Sequence, residues 1–221
     1  MYLVPMTEPE TRFALAVEPW PSRRTLLAAA FAGAASTVQA QTPAAPVRLA
    51  LQTPRGAMVL ELYPEKAPVT VANFLRYVDR GLYDGATLYR AMKNPGPPPV
   101  TGLIQGGARP NLGRPIPPIA HEPTSKTGLS HTDGALSLAR RAPGTGSSDF
   151  FICVGDQLYL NADPSSPGDN LGFAAFGRVV EGMDIARAII ALPTSARAAV
   201  PEMVGQMLDP PVPITAITRA A

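Results

Sequence analysis

The sequence has little from which a disulfide, a metal centre or a strong charge field could be built. It contains one cysteine, Cys153, and two histidines among 221 residues. A single cysteine excludes an intramolecular disulfide, and we expect it to be a small buried apolar residue on a strand. Three scattered residues supply too few ligands for a metal site. The formal net charge of +2 gives no basic field of the kind that binds nucleic acid, so no nucleic-acid partner is expected.

Proline and apolar residues, by contrast, are abundant. The chain has 26 prolines and 46% hydrophobic residues. Many prolines lie in short segments between apolar runs, which favours many turns and few long helices over disorder. The part that follows the N-terminal segment, about 180 residues, is long enough for one well-buried core and favours one domain over two.

The first 40 residues have the pattern of an export signal. Arg23 and Arg24 precede an apolar run over 26–35, and Val38-Gln39-Ala40 places small residues where a signal peptidase cleaves. The run is too short to span a bilayer comfortably, so no stable membrane insertion is expected after cleavage. The paired arginines fit either a twin-arginine or an ordinary secretory signal. We predict a signal peptide with an unstructured N-terminal extension over 1–40, a linker over 41–46 and one domain over 47–221.

Hydrophobic periodicity in this domain indicates many short strands and two helices. Helical spacing of apolar residues predicts helices over 68–80 and 181–192. Apolar runs and alternation predict strands over 47–53, 57–63, 83–90, 103–105, 134–139, 150–154, 173–180 and 213–218. The stretches 108–128 and 192–212 have the composition of loops. Because strands and helices do not alternate regularly, the pattern favours a β-barrel with helical plugs over a βαβ fold.

Three short segments carry the chemistry. Leu88-Tyr89-Arg90 ends a predicted strand with a guanidinium, Gln105-Gly106-Gly107 ends another, and Ser147 to Gly155 contains Phe150 and Phe151 in an apolar run. Neighbouring residues of a strand point to opposite faces, so the two rings face opposite sides and the strand places one of them in a core or pocket.

Together these segments resemble the cyclophilin-type peptidyl-prolyl isomerases. Further stretches match that family in order, namely 67–74, 83–90, 104–107, 134–139, 148–154 and 176–184. The resemblance covers about 47–217 and implies a mainly β fold, a closed eight-stranded antiparallel β-barrel capped by two α-helices. It also implies catalysis of X–Pro rotation, which needs no cofactor because neither electrons nor groups are exchanged.

The resemblance also implies the roles of individual residues. Arg90 would donate a hydrogen bond to the prolyl nitrogen, Gln105 would hold the substrate backbone beside it, and Phe151 would form the floor of the proline pocket. The remaining pocket residues implied are Leu103, Ala139, Arg140, Asp149, Tyr159, Leu160 and Phe173. Of these, Ala139 and Arg140 would contribute through their main chain.

Several positions depart from the family pattern. Gly102 stands where a pocket Phe is usual, and the stretch between Arg90 and Gln105 is several residues longer than in familiar members. Tyr159 occupies a position often held by Trp or Phe, and Phe173 replaces a His. Asp149 replaces a Gln, and we hypothesise that its carboxylate pairs with Arg90 and orients it.

The sequence therefore predicts an exported, monomeric isomerase that acts on proline-containing peptides and on folding proteins in the periplasm or outside the cell. A cyclophilin-fold binding module or chaperone with little turnover is the alternative, which Gly102 and the longer loop keep open. A hydrolase using His121, His131 and Asp133 is disfavoured because no G-x-S-x-G motif accompanies them.

Overall fold

The computed structural model describes residues 45–108 and 116–220. The predicted signal peptide at 1–40 and all but two residues of the predicted linker lie outside these ranges. Within them, no helix is both long and apolar enough to cross a membrane.

The first two strands form a hairpin. Strand β1 (Val47–Thr53) pairs antiparallel with β2 (Gly56–Leu62), so that Thr53 lies opposite Gly56. Leu49 and Leu51 of β1 are fully buried, whereas the intervening residues are more exposed. This alternation is the reason why the sequence pattern identified the strand correctly.

Helix α1 (Pro68–Asp79) begins at a proline, as predicted, and buries one face. Proline suits the first helical turn because its missing N–H would have no partner there. Ala67 at the N-cap offers no side-chain oxygen. The buried carboxylate of Glu122 accepts hydrogen bonds from the backbone N–H of Val69 (3.2 Å) and of Thr70 (2.8 Å) instead. A residue about fifty positions away therefore caps this helix.

The middle of the chain supplies five strands and two helices. These are β3 (Thr87–Lys93), β4 (Gly102–Gly107), α2 (Thr124–Thr127), β5 (Ala135–Leu138), β6 (Phe150–Val154), β7 (Ala174–Glu181) and α3 (Met183–Ile190). A single 3-10 turn over Leu158–Leu160 follows β6. Helix α2 is a single turn inside the stretch predicted to be irregular. Of the other elements predicted here, β6 has the predicted ends and the rest are present with shifted ends.

The C-terminal region differs from the prediction. It contains β8 (Thr194–Ser195), a 3-10 turn (Pro201–Met203), β9 (Met207–Pro213) and β10 (Ala216–Arg219), where the sequence predicted a loop and one strand. β9 forms a strand although it contains three prolines. Pro210 and Pro211 lie between the two points where β9 pairs with β3, Met207 with Arg90 and Val212 with Leu88, and Pro213 pairs with Thr87 at the end of the strand. The backbone between these pairs bulges, which is where a strand tolerates proline.

The strands form one curled antiparallel sheet, a half-barrel. Its order is β10-β1-β2-β7-β5-β6-β4-β3-β9-β8. In the described ranges there are ten strands and three helices, so the predicted count of eight strands and two helices is corrected. The additional strands come from the two-residue β8 and from the interruption between β9 and β10 at Ile214 and Thr215.

The two faces of the sheet carry separate apolar clusters. Phe150 belongs to the main core, where its ring packs edge-on against Phe74 of α1 with centroids 5.3 Å apart. Phe151 belongs to a smaller cluster with Leu103 and Leu160. The prediction that the two phenylalanines face opposite sides is confirmed. The smaller cluster forms one side of the candidate site.

Candidate functional site

A cavity of about 490 Å³ lies on the face of the sheet that carries the smaller apolar cluster. Its lining includes every site residue predicted from the sequence: Arg90, Leu103, Gln105, Ala139, Arg140, Asp149, Phe151, Tyr159, Leu160 and Phe173. We call this cavity the pocket. The structure thus brings together residues from three strands (β3, β4 and β6) and from the connections between β5 and β6 and between β6 and β7. The role of each residue in binding stays a prediction.

The floor of the pocket is a stack of rings. Phe151 lies nearly parallel to the imidazole of His131, with centroids 5.9 Å apart, and meets Phe173 edge-on at 5.4 Å. The guanidinium of Arg140 lies over the ring of Phe173, 5.3 Å from its centroid. These contacts fix the orientation of Phe151, whose ring lines the pocket.

His131 is buried beneath this floor. Its Nδ1 lies 2.7 Å from Oδ1 of Asn161, and its Nε2 lies 2.9 Å from Oγ of Ser137. The Asn161 oxygen also accepts the backbone N–H of His131, so Nδ1 is the protonated nitrogen and Nε2 accepts the serine hydroxyl. Burial lowers the pKa of His131, which favours the neutral ring.

The structure does not assemble the hydrolase site. Asp133 accepts hydrogen bonds from the backbone N–H of Gly155 and from the guanidinium of Arg187, and His121 contacts the carbonyl of Leu171. Ser137, the serine beside His131, is fully buried. A substrate therefore has no access to that hydroxyl.

Arg90 projects from an irregular point of the sheet. The register of β3 with both neighbours shifts between Leu88 and Arg90, which leaves Tyr89 unpaired in a bulge. Bulges re-aim side chains and are common beside active sites. Two glutamine side chains hold the guanidinium: Nη1 donates to Oε1 of Gln105 at 2.8 Å, while Nε (2.8 Å) and Nη2 (2.6 Å) donate to Oε1 of Gln206.

Arg90 forms no ion pair with a carboxylate in the described residues, so its charge is not compensated. Burial lowers the pKa of Arg90, yet an arginine stays protonated in proteins. Its three hydrogen bonds use three of the five N–H donors of a guanidinium, so two donors are not engaged by them.

The hypothesis that Asp149 pairs directly with Arg90 is wrong. The carboxylate of Asp149 accepts the hydroxyl of Tyr89 at 2.6 Å and that of Ser148 at 3.0 Å. The Tyr89 oxygen in turn accepts from Nε2 of Gln105 at 2.6 Å. Burial and the Asp149 charge hold the pKa of Tyr89 well above its usual value, so the phenol stays a donor. Asp149 therefore reaches Arg90 only through Tyr89 and Gln105.

The side chain of Arg140 holds the loop that leads to Phe173 in place. Its Nη1 and Nη2 each lie 2.8 Å from a carboxylate oxygen of Asp169, and its Nε donates to the carbonyl of Gly172 at 2.8 Å. The guanidinium holds the pKa of Asp169 at about 2. The expectation that Arg140 contributes through its main chain is incomplete, because its side chain also anchors the loop that carries Phe173.

Gly102 directly precedes Leu103 of the pocket lining and cannot carry the side chain that is usual at its position. Its φ of 139° is one that L-residues rarely adopt, and a Cβ would overlap the carbonyl of Met92. Met92 and Met203 line the pocket instead. Methionine is flexible and fills irregular gaps, so this wall is apolar despite the glycine.

Several contributing residues were missed from the sequence. They are Tyr89, Met92, Arg141, Thr145, Ser147 and Met203 in the lining, and Gln206 behind Arg90. Tyr89 was part of the motif and could have been inferred from its position next to Arg90. Met203 and Gln206 come from a region predicted to be a loop, where no sequence signal marks them. In the parts of the chain that the structure covers, no three His, Cys, Asp or Glu side chains are grouped to hold a metal ion.

Comparison with known proteins agrees with this geometry. The family described as "Cyclophilin type peptidyl-prolyl cis-trans isomerase/CLD" matches residues 48–217. A peptidyl-prolyl cis-trans isomerase of Acinetobacter baylyi is 34% identical over 147 residues, which cover 66% of this chain and 72% of the relative. A peptidyl-prolyl cis-trans isomerase of Streptomyces antibioticus is 36% identical over 150 residues, which cover 66% of this chain and 84% of the relative.

The fold comparison points the same way. A crystal structure of a cyclophilin type peptidyl-prolyl cis-trans isomerase from Cryptosporidium parvum superposes with a TM-score of 0.62 at 20% identity. The match covers 80% of this chain and 98% of that one. At this identity the likeness concerns the fold alone.

Proposed function

This chain belongs to the cyclophilin-type peptidyl-prolyl cis-trans isomerases, and on that premise we propose that it accelerates rotation about X–Pro bonds in the pocket, with Arg90 as the principal donor. Its substrates are proline-containing peptides and unfolded or folding proteins. The Cryptosporidium parvum protein has also been crystallised in the presence of the dipeptide Ala-Pro, which supports this substrate class.

The reaction requires no nucleophile. An amide must lose its resonance to rotate, at a cost of about 18–20 kcal/mol, and uncatalysed X–Pro rotation takes on the order of tens to hundreds of seconds. As the bond twists, the prolyl nitrogen becomes pyramidal and its lone pair, no longer delocalised into the carbonyl, becomes localised on the nitrogen. A catalyst must bind this twisted amide more tightly than either planar form.

Arg90 has the properties that this task requires. Two of its N–H donors are not engaged by Gln105 and Gln206, and neutral amide partners leave its positive charge uncompensated. Such a donor interacts more strongly with a developing lone pair than with a planar amide nitrogen, whose electrons are delocalised. This is stabilisation by a preorganised group, because the guanidinium is already held in place before the substrate binds.

The apolar side of the pocket would bind the proline ring. Phe151, backed by His131 and braced by Phe173, presents a fixed ring face, and Leu103 and Leu160 surround it. Contact with this surface excludes water from the rotating bond, which strengthens the interaction with Arg90.

The single observation that carries the proposal is the juxtaposition of an uncompensated, half-buried guanidinium with a fixed aromatic floor in one pocket. The test is the rate of X–Pro peptide isomerisation by the purified chain, wild type beside Arg90→Ala. We expect the variant to lose at least tenfold in kcat/KM while still binding the peptide, the loss of one charged donor being worth about 1.5–3 kcal/mol.

Arg178→Ala is the matched control, since Arg178 is an exposed arginine of β7 outside the pocket lining. It should leave the rate unchanged. If the wild type is folded and binds the peptide without accelerating its isomerisation, the protein is a binding module with the fold of an isomerase.

We also propose that the protein is exported and acts as a monomer in the periplasm or outside the cell. The arginine pair, the apolar run and the Val38-Gln39-Ala40 site support export. N-terminal sequencing of the protein from the producing cell should give Gln41 as the first residue. Intact protein that begins upstream of residue 22, in the cytoplasmic fraction alone, would contradict the proposal.

Finally, we propose that the curled sheet closes into the barrel of the family. Only Ile214 and Thr215 separate β9, which pairs with β3, from β10, which pairs with β1. The backbone N–H of Thr215 donates to the carbonyl of Gln52, and that of Ile214 donates to the carbonyl of Ala86. One continuous segment thus bridges the two sides of the sheet.

A further inference from the structure

The segment between β8 and β9, residues 196–206, approaches the pocket from the C-terminal side of the chain. It ends at Gln206, whose Oε1 accepts from both Nε and Nη2 of Arg90, at 2.8 and 2.6 Å. Its 3-10 turn carries Met203 into the lining. None of the motifs that place the chain in its family lies in this segment.

The side chain of Gln206 has a fixed orientation. Its Nε2 donates to the carbonyl of Glu202 at 3.0 Å, so the amide oxygen must point to the guanidinium. Its backbone is fixed as well: the N–H donates to the carbonyl of Met203 at 3.0 Å, and the carbonyl accepts the N–H of Ala91 at 2.8 Å. Gln206 is therefore anchored both within its own segment and to the strand that carries Arg90.

Two bonds to one acceptor determine the plane of a guanidinium, because Nε and Nη2 share an edge. Gln105 engages Nη1 on the opposite side. The N–H donors that these bonds leave unused then point in a defined direction. A carboxylate at the same place would hold the plane equally well but would neutralise the charge. An amide fixes the geometry and leaves the charge intact.

We propose that Gln206 is a positioning residue for the isomerisation, which acts by holding the guanidinium of Arg90 in its productive plane as a neutral acceptor. This rests on the proposed role of Arg90. The segment 196–206 is thereby a functional part of the site, although it lies outside the family motifs.

Three measurements on the full chain test the proposal. Gln206→Met, which keeps the size and removes the acceptor, should lower kcat/KM about tenfold, the loss expected for a hydrogen bond to a charged group. Added to Arg90→Ala, the same change should alter the residual rate less than about twofold, because Gln206 acts only through Arg90. The Nε–H resonance of Arg90 should exchange slowly with water in the wild type and rapidly in Gln206→Met.

Two further variants serve as controls. Gln52→Met makes the same chemical change at an exposed position of β1 and should match the wild type in all three measurements. Gln206→Glu should keep the slow Nε–H exchange yet lower kcat/KM, because the carboxylate compensates the charge. A Gln206→Glu variant as active as the wild type would overturn the requirement for a neutral acceptor.

The outcomes separate this proposal from the proposed function. If Arg90→Ala is as fast as the wild type, the role of Arg90 is wrong, whereas Nε–H exchange still reports whether Gln206 holds the guanidinium. If Arg90→Ala is slow and Gln206→Met is fast with unchanged exchange, the positioning role is overturned and the role of Arg90 stands. An equal loss from Gln206→Met in both backgrounds would indicate a general structural effect and would also overturn it.

Discussion

At the scale of single residues, the site separates charges that would otherwise neutralise each other. Asp149 and Arg90 both line the pocket, but Tyr89 and Gln105 stand between them in a chain of hydrogen bonds. A direct ion pair would occupy the donors of Arg90 and cancel its field. The observed chain orients the guanidinium and leaves its charge available, because the two side chains that accept its hydrogen bonds are neutral amides.

This arrangement predicts that the effect of Asp149 passes through Tyr89. Asp149→Asn should lower kcat/KM by less than about threefold, because an amide oxygen still accepts the phenol hydroxyl, though more weakly than a carboxylate. In a Tyr89→Phe background the same change should have almost no effect. Peptide isomerisation rates of the four proteins check this, and an undiminished effect in Tyr89→Phe would show that Asp149 acts on Arg90 by another route.

Cys153 provides a second prediction at this scale. Burial raises the pKa of its thiol from 9.0 to about 12. Because the folded pKa is raised, this contribution to stability is complete below pH 9 and is lost as the pH rises towards 12. We expect Cys153→Ala to show a smaller fall in melting temperature between pH 8.5 and 10.5 than the wild type. In native protein at pH 8 the thiol should also resist alkylation that proceeds readily in urea.

At the scale of elements, helix α1 depends on a partner that its own sequence does not contain. Ala67 cannot cap it, and Glu122 accepts from the backbone of Val69 and Thr70 as well as from the Thr70 hydroxyl at 2.7 Å. An acidic group at a helix N-terminus is also favoured by the helix dipole. The stretch around Glu122, which the sequence predicted to be an irregular loop, therefore contributes to the stability of α1.

Glu122→Gln should lower the free energy of unfolding by about 1–2 kcal/mol, because the amide NH₂ would face backbone donors instead of accepting from them. Urea denaturation measures this change. The exposed Glu65→Gln, near the same helix, is the matched control and should be neutral. Unchanged stability of Glu122→Gln would mean that water replaces the cap at no cost.

At the scale of the whole molecule, the two ends of the domain depend on each other. The last strand, β10, pairs with the first, β1, so that Ile217 lies opposite Leu51 and both side chains are buried in the main core. Bringing together residues so distant in sequence has an entropic cost, which is offset only when the complete fold is formed.

Shortening a side chain at this junction should therefore destabilise the entire domain. Ile217→Ala should lower the free energy of unfolding by about 2–5 kcal/mol, the usual cost of such a cavity in a core. Thr218→Ala, at the exposed neighbouring position, should stay within about 0.5 kcal/mol of the wild type. Equal stabilities for the two variants in urea denaturation would show that β10 is peripheral.

The sequence by itself determined the strands and helices whose periodicity is strong, such as β1, α1 and β6. Local pattern suffices for these elements because burial of one face dictates where apolar residues fall. The ten pocket residues were identified from the motifs that resemble the family, not from periodicity. Only the tertiary structure decided that β9 is a strand despite its prolines, that Glu122 caps α1, and that Gln206 holds Arg90. Each of these depends on a partner distant along the chain, and a local pattern contains no information about which distant group will supply the missing hydrogen bond.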